Sequence, residues 1–315
     1  MPSPPPSPAL PSRPRASTLA GLAVALALAG SAPGASAAPR PVVAVSVPPL
    51  AWMVERLAAE AVEIVVMLPP SAEAETYEPT PQQMRALAAC ALYVEVGHPL
   101  FTLEAGFVEP FLERHPGIAR VRLSRARPAP QPPDGGPPPG HSEHPGHAAH
   151  DDDPHAWLSL RVLRGALPDL ARALAGMLPA AAGTIGERER RLDAELAALD
   201  AELGTRLTAA AAARGRRFLI HHPALGFLAA DYGLVQVALE HEGKDPSPRQ
   251  LARTLAEARA GGAQVVLATR GTPSRAAEVA ARELGGRVVE VDPLGRDWPA
   301  ALRALTASLA EALYR

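Results

Sequence analysis

Four histidines, His141, His144, His147 and His150, recur every three residues, directly ahead of the carboxylates Asp151, Asp152 and Asp153. Pro145 and Gly146 interrupt the run, so a helix is not expected to line these side chains up. A flexible string of imidazoles beside carboxylates instead captures borderline metals such as zinc, nickel or copper, weakly and in many geometries. His155 differs, because it sits in Asp153-Pro154-His155-Ala156-Trp157-Leu158, where ordered structure is expected to begin. Pro154 restricts the backbone just ahead of it, and Trp157 can anchor the start of a helix. His221-His222-Pro223 follows an apolar run directly, and adjacent side chains at a strand end point opposite ways, so one of the two can face a given cleft. Asp292, in Val291-Asp292-Pro293-Leu294, also lies just past a predicted strand. A single histidine of this kind is most often a hydrogen-bonded structural residue. Two histidines and an aspartate, all at strand ends or loop edges, favour a binding site.

The elements that must position these residues follow from hydrophobic periodicity. Short apolar runs over 42–47, 62–68, 92–96 and 119–123 read as strands, with helices predicted over 50–59, 81–89 and 101–114. From Pro128 the chain becomes rich in proline and glycine, then in histidine, then acidic, and nothing over 128–153 can build a packed core. Helical periodicity resumes at Trp157 and runs to about Met177. Thr184 with Glu187 three residues on has the form of a capping box. Leu192, Leu196, Leu199, Leu203 and Leu207 then form one apolar stripe, on a helix reaching about Ala213 and spanning roughly 45 Å. Beyond it, strands are predicted over 218–220, 235–239, 265–268 and 287–291, with helices over 224–231, 248–260, 274–284 and 298–314. Strands alternating with helices imply parallel sheets. The expected fold class is therefore α/β, with two lobes of mainly parallel sheet joined by one long linking helix. Ligands of such sheets sit at the carboxyl ends of the strands, here the cleft between the lobes. The expected division is a targeting segment over 1–37, an N-terminal lobe over 38–178, the linking helix over 179–213 and a C-terminal lobe over 214–315.

Composition narrows the function. Hydrophobic residues make up 47% of the 315, which is globular, and a net charge of -2 disfavours a nucleic-acid partner held by broad phosphate attraction. The single cysteine, Cys90, leaves no intramolecular disulfide and no zinc site built mainly on thiolates, and reads as a buried structural thiol. Arg13 and Arg15, the apolar stretch from about Leu19 to Ala29 and the small residues Ala35-Ser36-Ala37 have the pattern of a signal peptide, so export to a periplasm without a lipid anchor is expected. There is no H-E-x-x-H helix, G-x-S-x-G elbow or phosphate-binding G-x-x-x-x-G-K-S/T.

Five segments, in order along the chain, carry a family resemblance. They are Glu75-Thr76-Tyr77-Glu78-Pro79-Thr80-Pro81; the histidine loop ending in Asp153-Pro154-His155-Ala156-Trp157-Leu158-Ser159; His222-Pro223 followed by Asp231-Tyr232-Gly233-Leu234; Glu242-Gly243-Lys244-Asp245-Pro246-Ser247-Pro248; and Val291-Asp292-Pro293-Leu294. With them the chain resembles the periplasmic solute-binding proteins of zinc and manganese ABC importers, most closely the zinc branch. The resemblance implies one ion bound between two α/β lobes by Glu75, His155, His222 and Asp292, with His141, His144, His147 and His150 as an accessory capture loop. It departs from the family at Glu75, where a histidine is usual; a carboxylate ligates zinc at a similar distance. Two nitrogens and two oxygens make a harder ligand set, which weakens the exclusion of manganese, while the histidine loop and His222 favour zinc. The implied partners are a membrane permease and its cytoplasmic ATPase, with the protein itself a monomer and not an enzyme. A manganese or nickel carrier of the same class is one alternative. Another is a zinc-dependent hydrolase, which would need three protein ligands, an open water position and a general base. A surface adhesin with an incidental metal is disfavoured by the absence of an anchoring cysteine and of a long stalk. His98, which follows the third predicted strand, reads as a structural loop residue.

Overall fold

The computed structural model describes residues 1–3, 39–70, 72, 76–123, 153–240, 244–271 and 274–315. Nearly all of the targeting segment, Glu75 and the four loop histidines lie outside them. Arg40–Arg315 forms one compact unit, and Met1–Pro39 is a separate one. The strands Val42–Val45 (β1), Glu63–Val66 (β2), Cys90–Glu95 (β3) and Ala119–Arg122 (β4) make a sheet in the order β2-β1-β3-β4, with every neighbouring pair parallel. Pro48–Ala58 (α1), Pro81–Ala89 (α2), Glu109–Glu113 (α3) and Leu160–Met177 (α4) accompany it. After the long helix Ala182–Arg214 (α5) come Arg217–Ile220 (β5), Gly226–Asp231 (α6), Val235–Ala238 (β6), Pro248–Ala260 (α7), Val265–Thr269 (β7), Arg275–Glu283 (α8), Arg287–Val291 (β8) and Trp298–Ala312 (α9). The second sheet repeats the first as β6-β5-β7-β8, again all parallel. This is the two-lobed α/β architecture that the alternating sequence pattern implies.

Helix α5 makes the two lobes one body. Ile185, Leu192, Leu196, Leu199, Leu203 and Leu207 are its buried residues. They belong to one continuous apolar core that contains Val43, Val45 and Leu92 of the first sheet and Phe218, Ile220 and Leu267 of the second. On the far face of the second sheet, Leu219 and Val266 pack in a smaller cluster with Leu255 and Ala258 of α7 and Ala277 and Ala280 of α8. The period-2 alternation along β5 thus sends Phe218 and Ile220 to one layer and Leu219 to the other. Trp52 of α1 meets Trp298 of α9 with ring centroids 5.6 Å apart.

Several helix boundaries differ from the sequence expectation, three of them for a clear local reason. The predicted helix over 101–114 begins in a π-helical turn, Glu104–Val108, before α3. Pro110 has no N–H to offer the carbonyl four residues back, and the Glu109 N–H bonds to Glu104 instead. The helix after His155 starts at Leu160, because Ala156–Leu158 is a 3₁₀ turn and the Ser159 hydroxyl caps α4 by accepting from the Val162 N–H at 3.1 Å. The expected Thr184–Glu187 capping box does not form. A 3₁₀ turn, Pro179–Ala181, runs straight into α5, and the Ala182 N–H bonds to the Pro179 carbonyl, so no side-chain cap is used.

The carboxyl ends of β1 and β3 are joined by a buried acid. Glu104 accepts from the N–H groups of Val96 and Gly97, each at 2.7 Å, and from the Ser46 hydroxyl, which lies 2.7 Å from the Tyr93 hydroxyl. Burial outweighs these donors, and with help from the nearby Glu95 charge it pushes the carboxyl up from its ordinary 4.5 to about 7. An acid whose folded value lies above its unfolded one binds its proton more tightly in the native state. Its favourable contribution is therefore full below about pH 4.5 and is lost as pH rises through about 7, a change of about 3 kcal/mol. Glu104→Gln removes that dependence. In urea unfolding at a series of pH values, the stability of the wild type relative to Glu104→Gln should fall between about pH 5 and about pH 8. Parallel pH profiles would show that this carboxyl does not titrate as described.

Candidate metal-binding site

The strands of the second sheet deliver the C-terminal half of the site. β5 ends at Ile220 and is followed by His221 and His222; β7 ends at Thr269 and is followed by Arg270; β8 ends at Val291 and is followed by Asp292. β5 connects outward to β6 on one side and pairs with β7 on the other, so His222 stands at the point where the strand order reverses. Side chains presented there face a natural crevice. His155 comes from the segment ahead of α4.

The imidazoles of His155 and His222 approach each other, with ring centroids 5.4 Å apart and planes at 70°. His155 is buried, and its Nδ1 lies 2.8 Å from Asp153 Oδ1, which also accepts the His155 backbone N–H at 2.9 Å. A carboxylate can only accept, so Nδ1 carries the hydrogen and the Nε2 lone pair remains for a Lewis acid. His222 also has an acid at Nδ1, which lies 3.3 Å from Glu240 Oε2. The β5–β6 register, Ile220 opposite Ala238, sets His222 and Glu240 side by side two residues on. Histidines that ligate metals are oriented by this kind of carboxylate contact, which fixes the tautomer and raises ligand basicity. His221 turns to a different acid, with Nε2 3.3 Å from Asp245 Oδ1.

Asp292 is held on the same rim. Its Oδ1 accepts the Leu294 N–H at 3.0 Å and its Oδ2 accepts from the exposed Arg270 guanidinium at 3.1 Å. Trp157 Nε1 donates to the Pro293 carbonyl at 3.0 Å, which ties the turn carrying Asp292 to the turn carrying His155. The residues after Glu75 are also anchored. The Tyr77 hydroxyl bonds to Gln83 Oε1 at 2.8 Å, and Gln83 Nε2 bonds to the Met67 carbonyl just past β2 at 2.7 Å. Among the described residues no group of three or more histidine, cysteine, aspartate or glutamate side chains is gathered as a metal cage. The structure brings His155 and His222 together, and Asp292 stays with Arg270. His98 uses Nδ1 to accept the Leu100 N–H at 3.2 Å, as a structural loop residue would.

Sequence reasoning assigned no role to Glu240 or Arg270 and left Asp153 in the loop over 128–153, although Asp153 is buried against His155. The signal for Glu240 was present: it follows the apolar run 235–239 as His222 follows 218–220, and parallel neighbours bring such positions together.

Comparison with known proteins identifies the fold and the family. The family model ZnuA, described as zinc-uptake complex component A periplasmic, matches residues 43–312. The high-affinity zinc uptake system protein ZnuA of Paracoccus denitrificans is 37% identical over 82 residues, 26% of this chain and 24% of that protein. The zinc-binding protein AdcA of Streptococcus pyogenes serotype M1 is 29% identical over 163 residues, 49% of this chain and 29% of that protein. These matches span only about a quarter of the length of the curated relatives. Among solved structures, a crystal structure of ZnuA superposes with a TM-score of 0.74 at 26% identity, covering 87% of this chain and 99% of that one. A ZnuA deletion mutant with zinc bound gives 0.74 at 27% identity, covering 88% and 99%. The periplasmic zinc binding protein TroA from Treponema pallidum, at 17% identity and a TM-score of 0.71 over 88% of this chain and 100% of that one, shares the fold. With its model matched over nearly the whole unit from β1 to α9, the chain belongs to the ZnuA family, zinc-uptake complex component A periplasmic.

Proposed function

We propose that this protein binds one zinc ion between its lobes in the periplasm and delivers it to the permease of an ABC importer driven by a cytoplasmic ATPase. The observation that carries the reading is the pair of imidazoles, His155 and His222, each with Nδ1 on a carboxylate and with rings 5.4 Å apart. Two nitrogens of fixed tautomer suit zinc and favour it over a harder ion such as manganese. Glu75 and Asp292 complete the ligand set in this reading, and His141, His144, His147 and His150 act as the accessory capture loop. Membership of the ZnuA family and the zinc-bound structure of the similar ZnuA deletion mutant support the choice of ion and of transport over catalysis. A shell closed by four protein side chains also leaves no open position for an attacking water. The proposed division is an export segment over 1–37, lobes over 38–178 and 214–315, and the linking helix over 179–213.

Zinc should raise the thermal stability of the wild type by mass action. His155→Ala and His222→Ala should each weaken zinc binding by more than about 100-fold, since loss of a mere outer-shell partner already costs 10–100-fold. The measurement is titration against a competing chelator, and wild-type affinity in both variants would overturn the site.

Glu75 gives a second test, because the family usually carries histidine there. Zinc competes with the proton for a ligating carboxylate. Glu75→Ala and Glu75→Gln should both weaken zinc binding, whereas Glu75→His should restore or improve it and widen the preference for zinc over manganese. Zinc and manganese affinities of the three variants at one pH decide the matter. Three silent substitutions would remove Glu75 from the ligand set.

A further inference from the structure

The turn carrying His155 is fastened to the C-terminal lobe by contacts that need no metal. Trp157 Nε1 reaches the Pro293 carbonyl at 3.0 Å. Asp153, which orients His155, lies against the first residue of α6, where a Cβ on Gly226 would stand 2.3 Å from Asp153 Oδ2. The third contact is the most buried. The Ser159 hydroxyl donates to Asp231 Oδ2 at 2.6 Å, and Arg161 stands 3.8 Å from Asp231 Oδ1. Ser159 begins α4, which packs with the first lobe, and Asp231 ends α6 of the second, so this bond crosses between the lobes four residues from His155.

A buried carboxylate is a poor source of stability, because losing its water costs several kcal/mol and an apolar residue of similar volume does as well or better. What it supplies is a defined geometry. We propose that Ser159 and Asp231 are positioning residues for metal binding. Their hydrogen bond holds the His155 turn on the second lobe, so that His155 and His222 already face each other before the ion arrives. The inference rests on the reading of His155 and His222 as ligands. A pre-set nitrogen pair spares the ion the cost of drawing the turn into place.

The test uses the whole mature protein, with zinc affinity measured by chelator competition well below the unfolding temperature of the metal-free form. Ser159→Ala and Asp231→Ala should each weaken zinc binding by about 10–100-fold, the range for residues that orient a ligand. The double variant should lose less than the sum of the two singles, since the Ser159–Asp231 bond is shared by both. Ser159→Ala also removes the cap of α4, but Ser159→Thr keeps both the cap and the donor and should recover the affinity. Should Asp231→Ala fail to fold, Asp231→Leu replaces it as a near-isosteric apolar side chain. A purely structural bond would lower the unfolding temperature and leave zinc affinity at the wild-type level, and that result, or additive losses, would overturn the proposal. Wild-type affinity in His155→Ala and His222→Ala would instead overturn the site itself. Loss in those two with none at Ser159 or Asp231 would discard only the positioning role.

Discussion

The buried stripe of α5 is the constraint on which the rest of the molecule depends. Its six apolar side chains contribute to a core that includes strands of both sheets. At about 1.5–3 kcal/mol for each fully buried side chain, the stripe is worth on the order of 10 kcal/mol, an upper figure because unfolded chains already bury some surface. That is comparable to the whole stability of an ordinary domain, so the lobes cannot swing off the helix without unfolding. The charged contacts along α5, Arg56 with Glu195 and Arg303 with Glu202, are partly exposed and add direction more than energy.

Within that frame the candidate site has two layers. The inner layer is a pair of imidazoles, and the outer layer is a pair of carboxylates, Asp153 and Glu240, each on an Nδ1. The outer layer settles which nitrogen is offered, a choice that a bare imidazole leaves open. It also brings negative charge close to the place proposed for a dication, which favours binding in a partly buried setting. Asp231 extends the same logic by one further step, from orienting a side chain to holding the turn that bears it.

Much of this was legible in the sequence, for identifiable reasons. Strands buried on both faces read as continuous apolar runs, which is why β1, β3, β5 and β7 stand out without their neighbours. The leucine stripe of α5 spans so many turns that its period is unmistakable. Helix starts were harder. The capping boxes that form are Thr80 with Gln83 and Ser247 with Gln250, both with proline at the first helical position, whereas the glutamate version at Thr184 is overridden by the turn ahead of it. The placement of His155, His222 and Asp292 at the edges of regular elements was legible, because each sits beside a proline. Their partners were harder to read. The place of Glu240 just past the run 235–239 is a local signal, but pairing it with His222 needs the strand register. Asp231 reaches Ser159 only through the packing of α6 on the turn ahead of α4, a tertiary fact with no local signature.

The contrast between the nitrogens and the oxygens bears on how such a site would fill. His155 and His222 are braced by buried or half-buried acids, and little needs to move for both to meet one ion. Asp292 is braced by Arg270, whose guanidinium is 63% exposed, and an ion pair of that kind is worth about 0–1 kcal/mol. A divalent ion approaching the rim can displace that arginine at small cost, whereas moving Asp153 off the His155 imidazole would break a buried hydrogen bond. On the proposed reading the nitrogen pair therefore sets where the ion sits and biases the choice towards zinc. Asp292 closes on it afterwards, and it can let go first when the ion is handed on.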